Sequence, residues 1–149
     1  MHNKVIREME IKDIEAVLEV ERESFHTAWT KDIFHQEISK NPHAHYFVIE
    51  VEGNIVGYAG IWIVFDDAQI TNIVILPAYR RKKLGEQLFR HIMRYAVLKG
   101  ISRLSLEVRQ SNIVAQRLYR KFGLVPGGIR KNYYTDNQED AIVMWVNIL

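Results

Sequence analysis

The chain has 149 residues, 48% of them hydrophobic and 26% charged, which suits one globular domain over residues 1–149. No apolar run approaches the ~20 residues that cross a bilayer, and the first ten residues lack the apolar core of a signal peptide. We therefore expect a cytoplasmic protein without a membrane partner. The absence of cysteine excludes a cysteine nucleophile, an acyl-cysteine intermediate and thiolate metal ligands. The net charge of +2 means that any basic feature must be local.

The first half of the chain predicts two helices between strands. KVIREME is typical of a short strand, and IKDIEAVLEVERESF places apolar residues at helical intervals. Thr30 is a suitable N-cap for a second helix that ends near Asn41 and Pro42. AHYFVIEVEGNIVGYAGIWIVF then predicts a hairpin around the turn EGN, and AQITNIVIL predicts a further strand after Asp66 and Asp67.

The second half predicts two more helices among strands. Apolar residues recur at every fourth position from Leu84 to Ile92, and RLSLEV alternates like a half-buried strand. Ser111 or Asn112 can cap a helix that ends at Gly123, and IRKNYYTDNQEDAIVMW predicts two strands around the turn TDNQ. The resulting order, β-α-α-β-β-β-α-β-α-β-β, predicts an α/β (α+β) fold with a mixed sheet and helices on its faces.

Four consecutive bases, Arg80, Arg81, Lys82 and Lys83, separate a predicted buried strand from an amphipathic helix. The first N–H groups of a helix lack internal partners and carry a partial positive charge, so this junction can bind an anion. An isolated basic run is more often a solvated turn, and nucleic-acid binding is a second alternative. The position between strand and helix, where phosphate-binding loops occur, favours a ligand with several phosphates.

The segment VILPAYRRKKLGEQL resembles the acyl-CoA-binding segment of the GNAT acetyltransferases, whose pattern is Arg or Gln, two residues, Gly, one residue, Gly or Ala. Arg80 and Gly85 match the ends of this pattern, whereas Lys83 stands where the family usually has its first glycine. AQITNIVI, LEVRQSNIVAQRLYRKFGL and IRKNYYTDNQEDAIVMW together resemble the bacterial ribosomal-protein alanine N-acetyltransferases of the RimI type. SFHTAW resembles the substrate loop of those proteins.

This resemblance implies the GNAT acyl-CoA N-acyltransferase fold, a mixed and mostly antiparallel sheet flanked by helices. It implies acetyl-CoA as co-substrate, with no metal. The implied partner is a protein N-terminus, the alanine exposed on the eighteenth protein of the small ribosomal subunit, and we expect no direct contact with nucleic acid.

The resemblance also implies the catalytic pair, with Glu107 as general base and Tyr119 as general acid. The chemistry asks for these residue types independently, because an amine that attacks a thioester must first lose a proton to a base. The departing thiolate resembles a thiol with a pKa of about 8.5, to which a tyrosine with a pKa near 10 can donate a proton. Tyr119 follows the Glu107 strand on the next predicted helix, so both can face one cleft.

Two further groups of residues carry over from the family. The expected cofactor-binding residues are Ile73, Val74, Ile75, Arg80, Arg81, Lys82, Lys83, Leu84, Gly85, Glu86 and Asn112. The role of the first three follows from the chemistry, because backbone N–H groups can hold the acetyl carbonyl without any side chain. The implied substrate-binding residues are Phe25, Trp29, Asn72, Tyr133 and Tyr134.

Each of the main candidates also has a purely structural interpretation. Glu107 on a half-buried strand can be merely solvated, and Tyr119 can pack on a helix face. Asn112 can serve only as an N-cap. Tyr133 and Tyr134 are strand-forming residues in a predicted strand, although adjacent exposed tyrosines also suit a peptide groove.

The favoured hypothesis is an acetyl-CoA-dependent N-terminal acetyltransferase that transfers the acetyl group directly in a ternary complex. The alternatives are a lysine or small-amine acetyltransferase and an acyl-CoA-binding module without turnover, although such a module needs neither Glu107 nor Tyr119. His43 and His45 are the one close histidine pair, and without a nearby cysteine they are interpreted as strand-edge residues rather than metal ligands.

Overall fold

The computed structural model describes residues 3–24 and 30–148. Seven strands are described, β1 Lys4–Glu8, β2 Ala44–Val51, β3 Asn54–Val64, β4 Asp67–Ile75, β5 Arg103–Arg109, β6 Val125–Arg130 and β7 Ala141–Asn147. Four α-helices are described with them, α1 Ile14–Ser24, α2 Lys31–Lys40, α3 Leu84–Leu98 and α4 Ile113–Lys121. Short 3₁₀ turns cover Ile11–Asp13 and Pro77–Tyr79. The predicted order of strands and helices is confirmed.

Local capping chemistry sets several helix ends as the sequence predicts. The Thr30 hydroxyl accepts the Ile33 N–H at the start of α2, and the Asn112 Oδ1 accepts the Ala115 N–H at the start of α4. Helix α4 is followed by Gly123, which has a φ of +93°. Glycine adopts this conformation at little energetic cost because it has no Cβ.

The seven strands form one sheet in the order β1-β2-β3-β4-β5-β7-β6. Every neighbouring pair is antiparallel except β4 and β5, which are parallel. A parallel pair requires a crossover, and α3 supplies it. This arrangement confirms the expected mixed, mostly antiparallel sheet.

The helices cover both faces of the sheet. Successive strand side chains point to opposite faces, so Phe47 belongs to the cluster packed under α3 and α4, whereas Val48 belongs to the cluster packed under α1 and α2. Both residues are fully buried. Among the described residues, β4 contributes to both clusters, through Ile70 on one face and Val74 on the other, whereas β5 contributes only to the cluster under α3 and α4.

The parallel strands β4 and β5 stay together only at their beginnings. Residues 67–70 pair with residues 103–106, and the pairing stops there although both strands continue. On the other side, β4 keeps its partner β3 to the end of the strand, after a register shift at Gly60 and Ile61. The carboxyl ends of β4 and β5 therefore separate and leave an opening in the centre of the sheet.

The last hairpin is wider than the sequence indicated. Strand β6 ends at Arg130 and β7 begins at Ala141, so Tyr133 and Tyr134 lie in a loop over residues 131–140 and not in a strand. Asn132 and Gln138 have φ values of +53° and +61°, which a strand does not accommodate. The predicted strand assignment of the two tyrosines was therefore wrong.

Among the described residues, no helix has the length and apolar character needed to span a membrane.

Candidate active site

A cavity of about 300 Å³ lies between the separated ends of β4 and β5. It is lined by Ile70, Thr71, Asn72, Ile73, Val74, Leu106, Glu107, Val108, Arg109, Asn112, Tyr119 and Tyr134. Both predicted catalytic residues thus line one cavity, together with predicted cofactor and substrate residues. Ligand sites of sheets that contain parallel strands commonly lie at the carboxyl ends of those strands, as this cavity does.

Glu107 is the carboxylate of this cavity, and its side chain is 11% exposed. Its Oε1 accepts a hydrogen bond from Gln69 Nε2 at 3.3 Å and lies 3.0 Å from Arg130 Nε. Tyr133 also hydrogen-bonds this carboxylate, which raises the pKa of the tyrosine. The interpretation of Glu107 as a merely solvated residue is therefore wrong, since three side chains orient its carboxylate.

Tyr119 lies across the cavity on α4 and is buried. Burial raises the pKa of its hydroxyl well above the ordinary value, and the nearby Tyr134 raises it further. The ring packs on Phe89 of α3, with 5.3 Å between ring centroids. Tyr119 therefore does have the packing role expected of a helix-face residue, and it also lines the cavity with its hydroxyl protonated.

The backbone of β4 presents N–H groups to the cavity. The N–H of Leu76 donates to the Val56 carbonyl of β3 at 2.8 Å, and N–H directions alternate along an extended strand. The N–H of Val74 therefore also points to β3, whereas those of Ile73 and Ile75 point to the side of the separated β5. Of the three predicted carbonyl-binding N–H groups, two have a suitable direction and that of Val74 does not.

Asn72 contributes a buried polar atom to the same wall. Its Oδ1 is buried and has no hydrogen-bond partner among the described residues. A buried acceptor without a donor is costly, and such atoms are rare in folded proteins. This acceptor fits a ligand that brings an N–H group into the cavity.

The basic run forms the turn that leads from β4 into α3, and its four side chains are exposed. Arg80 Nε donates to the Ile75 carbonyl at 3.0 Å, which fixes the turn against the end of β4. Lys82 lies over the ring of Tyr79 at 5.5 Å. Arg81 and Lys83 have φ values of +65° and +62°.

The start of α3 has the features of an anion site. Its N-cap is Lys83, which provides no side-chain cap, and the first backbone bond within the helix is donated by Gln87 to the Lys83 carbonyl at 3.1 Å. The N–H groups of Leu84, Gly85 and Glu86 precede that bond and have no partner within the helix. These groups and the adjacent bases fit the phosphates of acetyl-CoA.

Gly85 supports this fit, because nothing in the described chain requires a glycine there. A Cβ added at Gly85 would meet only Ile75 Cγ1, at an ordinary contact distance of 3.8 Å. Glycine within a helix is unfavourable relative to alanine. A ligand that approaches this backbone closely is a physical reason to have no side chain here.

Charge is divided unevenly along the chain. Residues 77–123 contain 12 of the 20 Lys and Arg residues but only two of the 18 Asp and Glu residues. Of those two acids, Glu107 lies in the cavity, and Glu86 is held by Lys121 at 2.7 Å and Arg90 at 3.4 Å. The small net charge of the whole chain therefore hides a strongly basic segment, which contains the start of α3.

The remaining predicted residues have distinct positions. Asn112 uses its Oδ1 as the N-cap of α4 and also lines the cavity. Tyr134 lines the cavity, and its ring is perpendicular to that of Tyr133 at 5.2 Å. Phe25 and Trp29 lie outside the described residues.

The sequence analysis missed three residues that contact Glu107 or Tyr134, namely Gln69, Arg109 and Arg130. Gln69 and Arg130 bind Glu107 from the neighbouring strand β4 and from β6. The residue type gives little signal for such contacts, because exposed arginines and glutamines are common. Within residues 3–24 and 30–148, no group of three or more histidine, aspartate or glutamate side chains is arranged to hold a metal ion.

Comparison with known proteins matches residues 11–124 to the family described as Acetyltransferase (GNAT) family. A Bacillus subtilis protein provisionally named [ribosomal protein bS18]-alanine N-acetyltransferase is 59% identical over 96% of this chain and 95% of its own length. The Escherichia coli K12 [ribosomal protein bS18]-alanine N-acetyltransferase is 34% identical over 93% of this chain and 94% of its own length.

The fold agrees with these matches. The crystal structure of the ribosomal-protein-S18-alanine N-acetyltransferase from Escherichia coli superimposes with a TM-score of 0.90 at 32% identity, covering 98% of this chain and 94% of that one. The residues matched to the family model extend over most of the chain and include every residue that lines the cavity except Tyr134. The chain therefore belongs to the GNAT family of acetyltransferases, enzymes that use acetyl-CoA as the acetyl donor.

Proposed function

We propose that this enzyme acetylates the α-amino group of an N-terminal alanine, that its protein substrate is ribosomal protein bS18, and that it works in the cytoplasm. The observation that carries the proposal is the shared cavity, in which a carboxylate, Glu107, and a protonated tyrosine, Tyr119, lie between separated strands. The names of the B. subtilis and E. coli relatives support the choice of acceptor.

On the donor side, acetyl-CoA supplies the acetyl group as a thioester. The free N–H groups at the start of α3, with Arg81 and Lys83 beside them, bind its phosphates. The N–H groups of Ile73 and Ile75 lie at the edge of β4, where they bind acyl and amide oxygens. A backbone donor fixed in a sheet stabilises a developing negative charge without reorganisation.

On the acceptor side, Glu107 takes the proton that the α-ammonium group must lose, directly or through a water. The amine nitrogen then attacks the acetyl carbon, and the carbon–sulfur bond breaks. Tyr119, which burial keeps protonated, hydrogen-bonds the departing sulfur and donates its proton as negative charge develops there. The sequence has no cysteine, so no acyl-cysteine intermediate forms, which supports direct transfer within a ternary complex.

The acceptor peptide binds beside Asn72, whose free Oδ1 receives an N–H group of the substrate. Tyr134 contributes to the opposite wall, and Tyr133 hydrogen-bonds Glu107 beside it. We propose a small apolar pocket for the first residue, with Phe25 and Trp29 as the further substrate-binding residues that the family resemblance implies. Bulky or charged first residues are rejected by steric and desolvation costs.

An α-amine is the better substrate for one carboxylate. Its pKa of about 7.7 to 8.0 leaves roughly a tenth of it neutral at pH 7, whereas a lysine with a pKa near 10.4 must overcome ~3 kcal/mol more. A lysine or small-amine acetyltransferase is the alternative within enzymes, and an acyl-CoA-binding module without turnover is the alternative outside them. The module does not explain why a buried tyrosine and a carboxylate share one cavity, whereas a lysine acetyltransferase differs from the proposal in the higher pKa of its acceptor amine.

The test is a peptide panel in which every peptide has an internal lysine and either a free or a blocked N-terminus. We expect acetylation at the free α-amine, with Ala first preferred over Trp or Asp first, and loss of it in Glu107→Gln. Tandem mass spectrometry locates the acetyl group. Preferential modification of blocked peptides at lysine would refute the choice of amine, and equal rates for Ala, Trp and Asp would refute the pocket.

A further inference from the structure

Arg109, the last residue of β5, binds the loop of residues 131–140 at several points. Its Nη2 lies 2.9 Å from Asp136 Oδ2, and its Nη1 lies 3.2 Å from both Glu139 Oε1 and Asn137 Oδ1. The guanidinium also covers the ring of Tyr134, 4.0 Å from its centroid. One side chain therefore contacts four residues of a loop that is close to it in space but about 30 residues away in sequence.

The backbone near Arg109 fastens the same loop. The Ser111 N–H donates to Glu139 Oε2 at 2.7 Å, and the Gln110 N–H donates to the Asp140 carbonyl at 3.1 Å. Within the loop, the Gln138 N–H donates to the Tyr134 carbonyl at 2.8 Å. The loop is thus a folded unit that is attached to the end of β5.

The attached loop forms one wall of the cavity. Tyr134 lines the cavity with Glu107 and Tyr119, and Tyr133 hydrogen-bonds the Glu107 carboxylate. Glu107 and Arg109 are two residues apart on β5, so their side chains leave the same face of the strand. The strand that carries the carboxylate thereby also carries the group that holds the opposing wall.

The geometry points to a positioning role for Arg109: we propose that its guanidinium holds the loop of residues 131–140 closed beside Glu107, so that acceptor binding depends on it. The planar guanidinium suits this task, because it binds two carboxylates at its edge and an aromatic ring at its face. This proposal rests on the proposed function for the identity of the acceptor side.

If Arg109 had a purely structural role, its loss would destabilise the whole domain and not only the loop. Strand β5 pairs with β7 along its whole length, and its inward residues Leu104, Leu106 and Val108 are buried. The sheet is therefore held without Arg109, whose side chain is 31% exposed. We expect its loss to open the loop while the rest of the domain stays folded.

The first test compares Arg109→Gln and Arg109→Lys with the wild type in steady-state kinetics. We expect the KM for the Ala-first peptide to rise roughly tenfold or more in Arg109→Gln, with acetyl-CoA affinity by calorimetry within about twofold of wild type. Arg109→Lys should lie between them, because an ammonium can keep one carboxylate but loses the fork and the stacking. Arg103→Gln is the matched control, since Arg103 stacks on Trp145 at 4.7 Å at the other end of β5.

A second measurement needs no peptide and separates this proposal from the proposed function. Hydrogen exchange should become faster in residues 131–140 of Arg109→Gln and stay unchanged in β4 and α3. A wild-type KM, wild-type exchange in the loop, or an equal loss of acetyl-CoA affinity would each overturn the positioning role. If the wild type acetylates no N-terminal peptide but hydrogen exchange in the loop becomes faster in Arg109→Gln, the proposed function is refuted while the role of Arg109 in holding the loop is supported.

Discussion

Lys83 and Gly85 lie two residues apart at the start of α3. The lysine has a backbone conformation that favours glycine, and the glycine has a position where a side chain would fit. Lys83 has a φ of +62°, in the left-handed region that favours glycine. Gly85 lies in the helix, where a Cβ would meet only Ile75 at 3.8 Å. The glycine is therefore absent where the backbone favours it, and present where the described chain does not require it.

We expect Gly85→Ala to separate folding from cofactor binding. Alanine is favoured over glycine in a helix by up to about 1 kcal/mol, so the unfolding midpoint should stay level or rise. The added methyl group should weaken acetyl-CoA binding, because it occupies the space through which a phosphate approaches the backbone. Calorimetric titration and thermal unfolding check both parts, with Gln87→Ala in the same turn as control. Unchanged affinity in Gly85→Ala would contradict the phosphate site.

We expect the double variant Arg81→Glu and Lys83→Glu to bind acetyl-CoA more weakly, because it reverses charge beside the free N–H groups of α3. The difference from the wild type should shrink as salt is added, since exposed charges are screened over about 10 Å at 0.1 M. Titrations at low and high salt measure this. Reversal of Arg94, an exposed base further along α3, serves as control, and equal losses in both would contradict a localised phosphate site.

Glu107→Gln should lower turnover by roughly 10²- to 10⁴-fold, the usual cost of losing a general base. The loss should become smaller at high pH, where the acceptor amine loses its proton without help. Acetyl-CoA affinity should be retained, because the substitution lies away from the start of α3. A pH series of turnover at saturating substrates measures the effect, and a wild-type rate at neutral pH would exclude Glu107 as the base.

Tyr119→Phe removes one hydroxyl and keeps the ring that packs on Phe89. We therefore expect the unfolding midpoint and acetyl-CoA affinity to stay near wild type while turnover falls by roughly 10²-fold or more. Single-turnover kinetics with bound acetyl-CoA isolates the chemical step. If that step keeps its wild-type rate, the tyrosine only packs.

The sequence predicted those parts of the fold that depend on local chemistry. The caps at Thr30 and Asn112 need only a side-chain oxygen and an N–H group three residues on, and both are confirmed. The alternation of RLSLEV likewise predicted which side of β5 is buried. Such features depend only on residues that are close together in the sequence.

The parts that failed depend on contacts between distant residues. The loop that contains Tyr133 and Tyr134 looks like a strand in sequence, and Arg109 on another strand binds it in its irregular form. The separation of β4 from β5 beyond residues 70 and 106 coincides with the register shift between β3 and β4, which leaves Thr71 as one extra residue in β4. The sequence of either strand alone does not show where such a shift falls. The Arg130 contact with Glu107 has the same origin, since it joins β6 to β5.

Glu139 gives the loop a defined sensitivity to acid. Hydrogen bonds from Ser111, and then from Arg109, hold the pKa of Glu139 at about 2, compared with an ordinary value of 4.5. A carboxylate with a lowered pKa in the folded state contributes stability that is fully present above pH 4.5 and is lost as the pH falls towards 2. The unfolding midpoint of Glu139→Gln should therefore lie below that of the wild type at pH 6. The difference between the two midpoints should shrink as the pH falls from 4.5 towards 2. A difference that is constant from pH 6 to pH 3 would contradict the assignment.

The central claim is that this chain acetylates the N-terminal alanine of bS18 with Glu107 as the base. Intact-mass spectrometry of bS18 tests it directly, in ribosomes from source cells that lack the gene and carry either the wild type or Glu107→Gln at matched protein levels. We predict that bS18 gains the mass of one acetyl group with the wild type, that fragmentation assigns this group to the first residue, and that bS18 stays largely unmodified with Glu107→Gln. Acetylated bS18 in cells without the gene, or equal acetylation with both proteins, would contradict the account.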